Sequence, residues 1–178
     1  ETALFYESDA GGGAGARRVT FRELAALVDR CAAALRSAGV QRGDSVGLYA
    51  PMQVPTVVVL FATMKVGARF VPIFCGYGEA ALRERLALCE AKILFACRAM
   101  TRRGKASDTG AVASAAAGAV ASVRRIVWTD TADWADFLAS GSTAVVEPEP
   151  TEAEDPCLII YTSGTTGRPK GTVHTHDG

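Results

Sequence analysis

The most informative stretch of the sequence is Cys157-Leu-Ile-Ile-Tyr161-Thr-Ser-Gly-Thr-Thr-Gly-Arg-Pro-Lys170-Gly171. Its first five residues are apolar or aromatic, which predicts a buried strand at residues 157–161. Glycines, hydroxyl residues and a lysine follow, and residues 172–175 (Thr-Val-His-Thr) are again rich in β-branched side chains. We therefore predict that the intervening loop joins two strands rather than opening a helix.

The loop between those strands has the composition of a phosphate-binding site. Gly164 and Gly167 allow backbone N–H groups to point into one concavity, where they can bind an anion. The four hydroxyl residues of the loop offer further donors, and Lys170 supplies a positive charge. The spacing is not that of P-loop NTPases, because Pro169 precedes the lysine and Gly171 follows it. The alternative is a flexible surface turn. Ten consecutive residues of this composition, 162–171, are hard to explain by coincidence, which argues against that alternative.

Helical and strand patterns alternate upstream of this loop. Thr20 and Glu23 have capping-box spacing, which predicts a helix at residues 21–38 that ends at Gly39. Strands are predicted at residues 45–49, 69–74, 92–97 and 125–128, and an amphipathic helix at residues 79–90. Because the connections are short, the pattern predicts an α/β domain with a mostly parallel sheet and flanking helices.

Three segments allow two interpretations each. Residues 54–66 are apolar nearly all round, and their length favours a buried helix over a strand. Residues 106–122 are rich in Ala, Gly and Ser, which is typical of a weak helix or a mobile loop. Gly11–Gly15 lies between the apolar residues 3–6 and 19–21 and predicts a hairpin connection. A phosphate cradle helped by Arg17 and Arg18 is the alternative for these glycines, although no helix start follows them.

The composition excludes several classes of function. The chain has 178 residues, of which 19 are basic and 19 acidic, so it offers no electrostatic case for nucleic acid or an anionic membrane as partner. The apolar stretch at residues 54–64 is too short to span a bilayer. The five cysteines are widely spaced and include no C-x-x-C, which favours buried reduced thiols over a metal or redox site. Reduced thiols and the lack of a secretory signal indicate a cytoplasmic protein.

The organisation predicted along the chain has three parts. Residues 1–145 are expected to form an α/β subdomain, and residues 157–178 the strand and phosphate loop. Residues 146–156 are expected to form a solvated linker, because five acids and three prolines lie within 147–156. The chain starts without Met and stops shortly after the loop, so we expect an excerpt of a longer polypeptide that is inactive by itself.

Residues 161–171 resemble the signature loop of adenylate-forming enzymes, the superfamily of acyl-CoA synthetases, luciferases and peptide-synthetase adenylation domains. Residues 19–24, 43–46 and 64–72 resemble N-terminal motifs of that superfamily in the expected order. The resemblance implies that residues 1–178 are the N-terminal portion of the large domain. It further implies ATP-dependent activation of a small-molecule carboxylate to an acyl-adenylate, with Mg²⁺ and ATP as cofactors.

Four local features resemble the acetyl-, propionyl- and acetoacetyl-CoA synthetases within that superfamily. These features are the turn Ile73-Phe-Cys-Gly-Tyr77, the strand Lys92-Ile-Leu-Phe-Ala96, the basic loop Arg102-Arg-Gly-Lys105 and the ending Val173-His-Thr-His176. The resemblance implies thioester formation with coenzyme A as the second step. A domain that loads a carrier protein, and a non-catalytic module that retains the fold, remain the alternatives.

The resemblance assigns candidate residues to two sites. It implies that the ATP phosphates are bound by Thr162, Ser163, Gly164, Thr165, Thr166, Gly167, Lys170 and Gly171. Lys170 is the candidate catalytic residue, and no metal ligand is assigned. It implies that CoA is bound by Phe74 and Gly76 beside the adenine and by Arg102, Arg103, Gly104 and Lys105 near the phosphates. Three cations in four residues suit a phosphate group, although a solvated basic turn is the alternative. His174 and His176 receive no catalytic role.

Overall fold

The computed structural model of the chain describes residues 1–7, 17–102, 105–162 and 168–177. In chain order, the elements within these residues are β1 (Thr2–Tyr6), β2 (Arg17–Thr20), α1 (Phe21–Ser37), β3 (Ser45–Tyr49), α2 (Val54–Lys65), β4 (Arg69–Pro72), α3 (Glu79–Leu88), β5 (Ala91–Ala96), β6 (Met100–Arg102), β7 (Lys105–Ser107), α4 (Thr109–Gly118), β8 (Arg125–Trp128), α5 (Ala132–Ala139), β9 (Pro156–Thr162) and β10 (Lys170–Thr175). Apart from the β6–β7 hairpin, which follows β5 directly, helices and strands alternate from β3 to β9, and the predicted α/β class is confirmed.

A central sheet organises the described part of the chain. Its strand order is β10-β9-β4-β3-β5-β8. The five strands from β9 to β8 are parallel to their neighbours, and β10 runs antiparallel to β9 at one edge. The prediction of a mostly parallel sheet is therefore confirmed.

Helices cover both faces of the sheet. Helices α1, α2 and α5 contribute to one apolar core, and α3 and α4 contribute to a second core on the opposite face. Strand β5 shows the division, because Ile93 and Phe95 belong to the first core while Leu94 and Ala96 belong to the second. Residues 93–96 of this strand are therefore buried on both sides and all apolar, as expected for a central parallel strand.

Two of the predicted helix signals are present in the structure. The Thr20 side chain accepts a hydrogen bond from Glu23 N, while the Glu23 carboxylate accepts one from Thr20 N, so the capping box is complete. Gly39 follows α1 with φ of 83°, a conformation that favours glycine. Residues 54–65 form a helix that is buried on most sides. The interpretation of this apolar run as a buried helix is therefore confirmed.

The small-residue segment forms helix α4, which resolves the alternative of helix or loop. Asp108 caps its first turn by accepting from Ala111 N. Ala113, Ala116 and Ala117 are buried against the α3 layer, where small side chains allow close packing of two helices. Helix α5 was not predicted, and it is anchored by the fully buried Phe137.

The acidic segment is largely exposed, as a solvated linker would be, but it is attached to the first helical layer. Arg36 pairs with Glu149 at 3.3 Å, and Arg42 pairs with Asp155 at 2.5 Å. The Glu149 N–H donates to Lys65 O at 2.8 Å. Cations on α1 and directly after it therefore contact this exposed segment.

The predicted strand at residues 157–161 is present as β9, but it is buried on only one face. Cys157 and Ile159 are buried, whereas Ile160 is 40% exposed. The strand pairs with β4 in the central sheet and with β10 at its other edge. Strands β1 and β2 form the predicted hairpin, whose glycine-rich connection lies outside the described residues. Among the described residues, no helix is both long and apolar enough to cross a membrane.

Candidate functional site

The candidate site lies where β3, β4 and β9 end. These neighbouring strands are parallel, so their carboxyl ends meet at one edge of the sheet. The chain leaves β3 for α2 on one face and leaves β4 for α3 on the opposite face. A crevice at such a reversal of direction is the usual ligand-binding position in open α/β sheets.

A cavity of about 620 Å³ opens at this edge. Its lining is mostly apolar and comes from the residues after β3 and β4, from α2 and from the end of β9. The charged side chain in its lining is Arg85 of α3. The cavity therefore brings together the segments that follow β3 and β4 and the side chains of β9 itself.

The loop that is predicted to bind phosphate follows β9 and precedes β10 at this edge. Thr162 is paired with Lys170 across β9 and β10, and the Thr162 hydroxyl donates to Lys170 O at 3.5 Å. Lys170 is exposed. A side chain at Gly171 would have its Cβ 3.1 Å from the Ile159 side chain, so a larger residue there would require a small shift of that neighbour. Residues 163–167, to which the other phosphate contacts were assigned, lie outside the described residues. The prediction that the loop joins two strands is confirmed.

An arginine and three tyrosines lie beneath this edge. The Arg85 guanidinium carbon is 4.2 Å from the centre of the Tyr77 ring and 6.0 Å from that of Tyr161. Arg85 is 6% exposed, and its Nη1 donates to Ala81 O at 2.7 Å. The Tyr49 hydroxyl donates to Tyr77 O at 2.5 Å. The cluster thus connects the turn after β4 with the strand that enters the phosphate loop.

The two tyrosines that are most enclosed stay uncharged at neutral pH. Burial raises the pKa of Tyr49 to about 12 and that of Tyr161 to about 12. A neutral phenol can donate a hydrogen bond, and its ring face attracts a cation such as the Arg85 guanidinium. Burial also raises the pKa of Cys89 to about 11, so this thiol is a packing group and not a nucleophile.

The aromatic-glycine turn follows β4 directly, because that strand ends at Pro72 and not at Phe74 as predicted. Phe74 is 49% exposed, and its ring contacts Tyr77 edge-on at a centroid distance of 5.5 Å. A Cβ at Gly76 would overlap the Phe74 ring. Glycine at this position therefore leaves free the space that the Phe74 ring occupies.

The basic loop is the tip of a two-stranded hairpin formed by β6 and β7. Arg102 is paired with Lys105 by their backbones, while Arg103 and Gly104 lie outside the described residues. The Cys75 thiol donates to the Met100 sulfur at 3.1 Å. This contact places the start of the basic hairpin beside the aromatic-glycine turn, although 25 residues separate them in the chain.

The two histidines lie away from this edge, at the far end of β10. The His174 carbonyl accepts from the Cys157 thiol at 3.5 Å, and the His176 N–H donates to Asp155 O at 3.2 Å. Both contacts are made by backbone atoms of the histidines. No group of three or more potential metal-ligating side chains occurs within the described ranges.

Three residues near the site were not singled out from the sequence. Arg85 could have been found, since it lies on the buried side of α3 between Leu82 and Leu86, where an apolar residue is expected. The sequence gives no reason to single out Tyr49 as a site residue, apart from its position at the end of a predicted strand. Asp130 contacts the backbone 32 residues upstream, and no local pattern reveals such a contact.

Comparisons with known proteins show which family the chain resembles over its whole length. A family model described as AMP-binding enzyme matches residues 1–178. An acetyl-coenzyme A synthetase of Coprinopsis cinerea is 35% identical over 189 residues, covering 100% of this chain and 28% of the relative. The chain therefore spans just over a quarter of the length of such curated relatives.

Solved structures are similar over the same extent. A fatty acyl CoA synthetase of Mycobacterium tuberculosis superposes with a TM-score of 0.74 at 27% identity, over 90% of this chain and 30% of that one. An anthranilate CoA ligase in complex with anthranoyl-AMP superposes with a TM-score of 0.79 at 26% identity, over 90% of this chain and 29% of that one.

Proposed function

The chain belongs to the family of AMP-binding enzymes, and we propose that it supplies the ATP phosphate loop and the CoA nucleotide site of an adenylate-forming acyl-CoA synthetase. The observation that carries the proposal is the arrangement at one sheet edge. The phosphate loop follows β9, the aromatic-glycine turn follows the neighbouring β4, and the contact between Cys75 and Met100 brings the basic hairpin beside that turn.

The proposed reaction has two steps. A carboxylate oxygen of the substrate attacks the α-phosphorus of ATP, which forms an acyl-adenylate and releases pyrophosphate. The sulfur of the CoA thiolate then attacks the acyl carbonyl carbon, which forms the thioester and releases AMP. In the first step catalysis consists largely of positioning and of stabilising charge on the leaving pyrophosphate.

The phosphate loop performs the charge stabilisation in this proposal. Residues 162–167 surround the β- and γ-phosphates with backbone N–H and hydroxyl donors. Lys170 lies at the first position of β10, where it is exposed and can reach the leaving pyrophosphate. The antiparallel pairing of β9 with β10 holds the two ends of the loop side by side.

The turn and the basic hairpin together bind the CoA nucleotide in this proposal. The Phe74 ring is exposed and offers a stacking surface for adenine, while Gly76 leaves room for the ring. Arg102, Arg103 and Lys105 bind the phosphate groups, for which arginine forks are well suited. The contact between Cys75 and Met100 supports a shared site because it fixes the two elements side by side.

We include Mg²⁺ in the proposal as a partner of the ATP phosphates. This ion usually keeps several waters and is held by one or two carboxylates together with substrate phosphates. The hydroxyl-rich loop fits a ligand whose metal is held mainly through its own phosphates. When bound, the ion would neutralise part of the phosphate charge.

The acyl group is proposed to be short. The curated relatives are named acetyl-coenzyme A synthetases, and the turn and basic loop resemble those of the acetyl-, propionyl- and acetoacetyl-CoA synthetases. Acetate, propionate and acetoacetate are therefore the first carboxylates to be assayed.

The test of the CoA assignment replaces Arg102, Arg103 and Lys105 with Ala in the whole protein. Each well-formed charge-assisted phosphate contact contributes about 1.5–3 kcal/mol, and less if exposed. We expect the KM for CoA to rise at least ~10-fold, while carboxylate-dependent pyrophosphate exchange changes less than ~3-fold. A matched control replaces the exposed cations Arg22, Arg30 and Arg124, which lie elsewhere on the surface, and should change neither value.

The possible outcomes separate the alternatives. An unchanged KM for CoA would contradict the CoA assignment. It would favour the alternative that residues 102–105 form an ordinary solvated turn. Pyrophosphate exchange by a protein that forms no thioester when CoA is added would instead favour a carrier protein as acceptor. Equal losses in both half-reactions would indicate a folding defect. A complete absence of exchange in the unmutated protein would favour the non-catalytic module.

A further inference from the structure

The base of the basic hairpin is held by a carboxylate from a neighbouring strand. Asp130 follows β8, which pairs with β5 in parallel. Its oxygens accept hydrogen bonds from Arg98 N at 3.0 and 2.9 Å and from Ala99 N at 3.3 Å. These two residues connect the end of β5 to β6, so Asp130 binds the backbone where the hairpin begins.

The first residues of α4, which follow the hairpin in the chain, meet the same point. The Gly110 N–H donates to Arg98 O at 2.8 Å, and the Thr109 hydroxyl donates to Cys97 O at 2.7 Å. A Cβ at Gly110 would lie 3.1 Å from Arg98 Cα and from Arg98 O. The entry and the exit of the hairpin are thus fixed against residues 97–99.

The hairpin depends on this anchoring. It consists of two three-residue strands that pair with each other and not with the central sheet, within the part of the chain that the structure describes. An isolated two-stranded hairpin is marginally stable in water. A carboxylate that accepts backbone N–H groups makes stronger hydrogen bonds than a neutral acceptor does.

We propose that Asp130 is a positioning residue for the CoA half-reaction. By holding Arg98 N and Ala99 N, it fixes the base of the hairpin that carries the basic loop of the proposed CoA site. This inference rests on the proposed function, and it adds a residue that does not itself contact CoA.

The experiment compares Asp130→Ala with Asp133→Ala in the whole protein. Asp133 is a matched control, because its carboxylate also accepts a backbone N–H, that of Trp128 at 2.8 Å, and it pairs with Arg125 rather than binding residues 98–99. Amide hydrogen exchange reports on residues 98–102 and 105–107 without any need for CoA. Kinetics report the KM for CoA and the rate of pyrophosphate exchange.

For Asp130→Ala we expect amide exchange in the hairpin to be accelerated about 10-fold and the KM for CoA to rise about 3- to 10-fold, as the loss of one or two hydrogen bonds implies. Pyrophosphate exchange should change less than about 2-fold by the same reasoning. Asp130→Asn retains one acceptor oxygen and should be intermediate. Asp133→Ala should not selectively accelerate exchange in the hairpin.

Unchanged hydrogen exchange in the hairpin of Asp130→Ala would overturn the inference. Equal losses in both half-reactions would also overturn it, because they would show a general structural role. If exchange in the hairpin accelerates but neither Asp130→Ala nor the triple cation variant affects CoA, the anchoring stands and the proposed CoA site fails. The two failures are therefore distinguishable.

Discussion

The two hairpins at the carboxyl edge of the sheet are built in different ways. The hairpin of β9 and β10 carries the phosphate loop and is part of the central sheet, because β9 pairs with β4 on one side and with β10 on the other. The hairpin of β6 and β7 carries the basic loop and lies outside that sheet. Its base is held by the Asp130 carboxylate and by the contact between Cys75 and Met100.

This difference explains why one hairpin is evident in the sequence and the other is not. A strand in a sheet is specified by its apolar pattern, and the loop after β9 contains its own glycines, hydroxyls and lysine. The basic hairpin depends on residues that are 25 and 32 positions away. We therefore expect variants at the base of each hairpin to affect one half-reaction more than the other, except where a residue contacts both.

Arg85 contacts Tyr161 of the phosphate hairpin and Tyr77 of the turn beside the basic hairpin, so its replacement should affect both sites and have the largest effect. Arg85→Ala removes the stacking on Tyr77 and the hydrogen bond to Ala81 O, and it leaves a cavity in the second core. We expect the free energy of unfolding to fall by about 2–4 kcal/mol and both half-reactions to slow. Urea denaturation of the whole protein measures the loss.

The control for this prediction is Arg83→Ala on the same helix. Arg83 forms an exposed pair with Glu79 at 3.4 Å, which contributes at most about 0.5 kcal/mol. Similar small losses in both variants would show that the stacked arginine contributes nothing beyond an ordinary surface cation. A loss confined to one half-reaction would show that the cluster of Arg85 and the tyrosines does not connect the phosphate hairpin with the turn beside the basic hairpin.

Lys170 tests the phosphate hairpin alone. Lys170→Ala should remove a charge-assisted contact of about 1.5–3 kcal/mol, which corresponds to a loss of roughly 10- to 150-fold in adenylation. Pyrophosphate release with ATP and saturating carboxylate measures this loss. Stability should not change, because Lys170 is exposed. Lys170→Arg retains the charge and should be milder, while an unchanged rate in the alanine variant would remove Lys170 from the mechanism.

Gly76 tests the CoA side and should have the smallest effect of the three. Gly76→Ala introduces a Cβ that overlaps the Phe74 ring, and the exposed ring can move aside at little cost in stability. We expect the KM for CoA to rise about 3- to 10-fold, because the stacking surface is displaced. Gly78→Ala is the matched control, since a Cβ at Gly78 meets no atom within 4 Å. Equal KM values in the two variants would exclude a role for the Phe74 ring.

The sequence predicted the elements whose signals are local. The capping box of α1, the strands of the parallel sheet and the strand–loop–strand unit at the phosphate loop were all anticipated, because pattern and turn chemistry specify them. Helix α5 escaped prediction, since it has eight residues and is fixed by the burial of Phe137 in a core made by distant strands.

The site was predictable to a smaller degree for the same physical reason. The aromatic-glycine turn and the basic loop were recognised as separate motifs, but their proximity follows from the order of strands in the sheet, which the sequence does not show. The acidic segment was assigned to solvent because its composition is polar. Its attachment depends on Arg36 and Arg42, which lie 113 residues before their partners.

Carboxylate-dependent exchange of radiolabelled pyrophosphate into ATP, measured on the whole protein without CoA, tests the central claim most directly. Acetate, propionate and acetoacetate serve as substrates in the presence of Mg²⁺. We predict that label enters ATP only when a carboxylate is present. Adding CoA should then yield the thioester and AMP. Label that enters ATP equally without any carboxylate, or no incorporation with any of the three, would contradict this prediction.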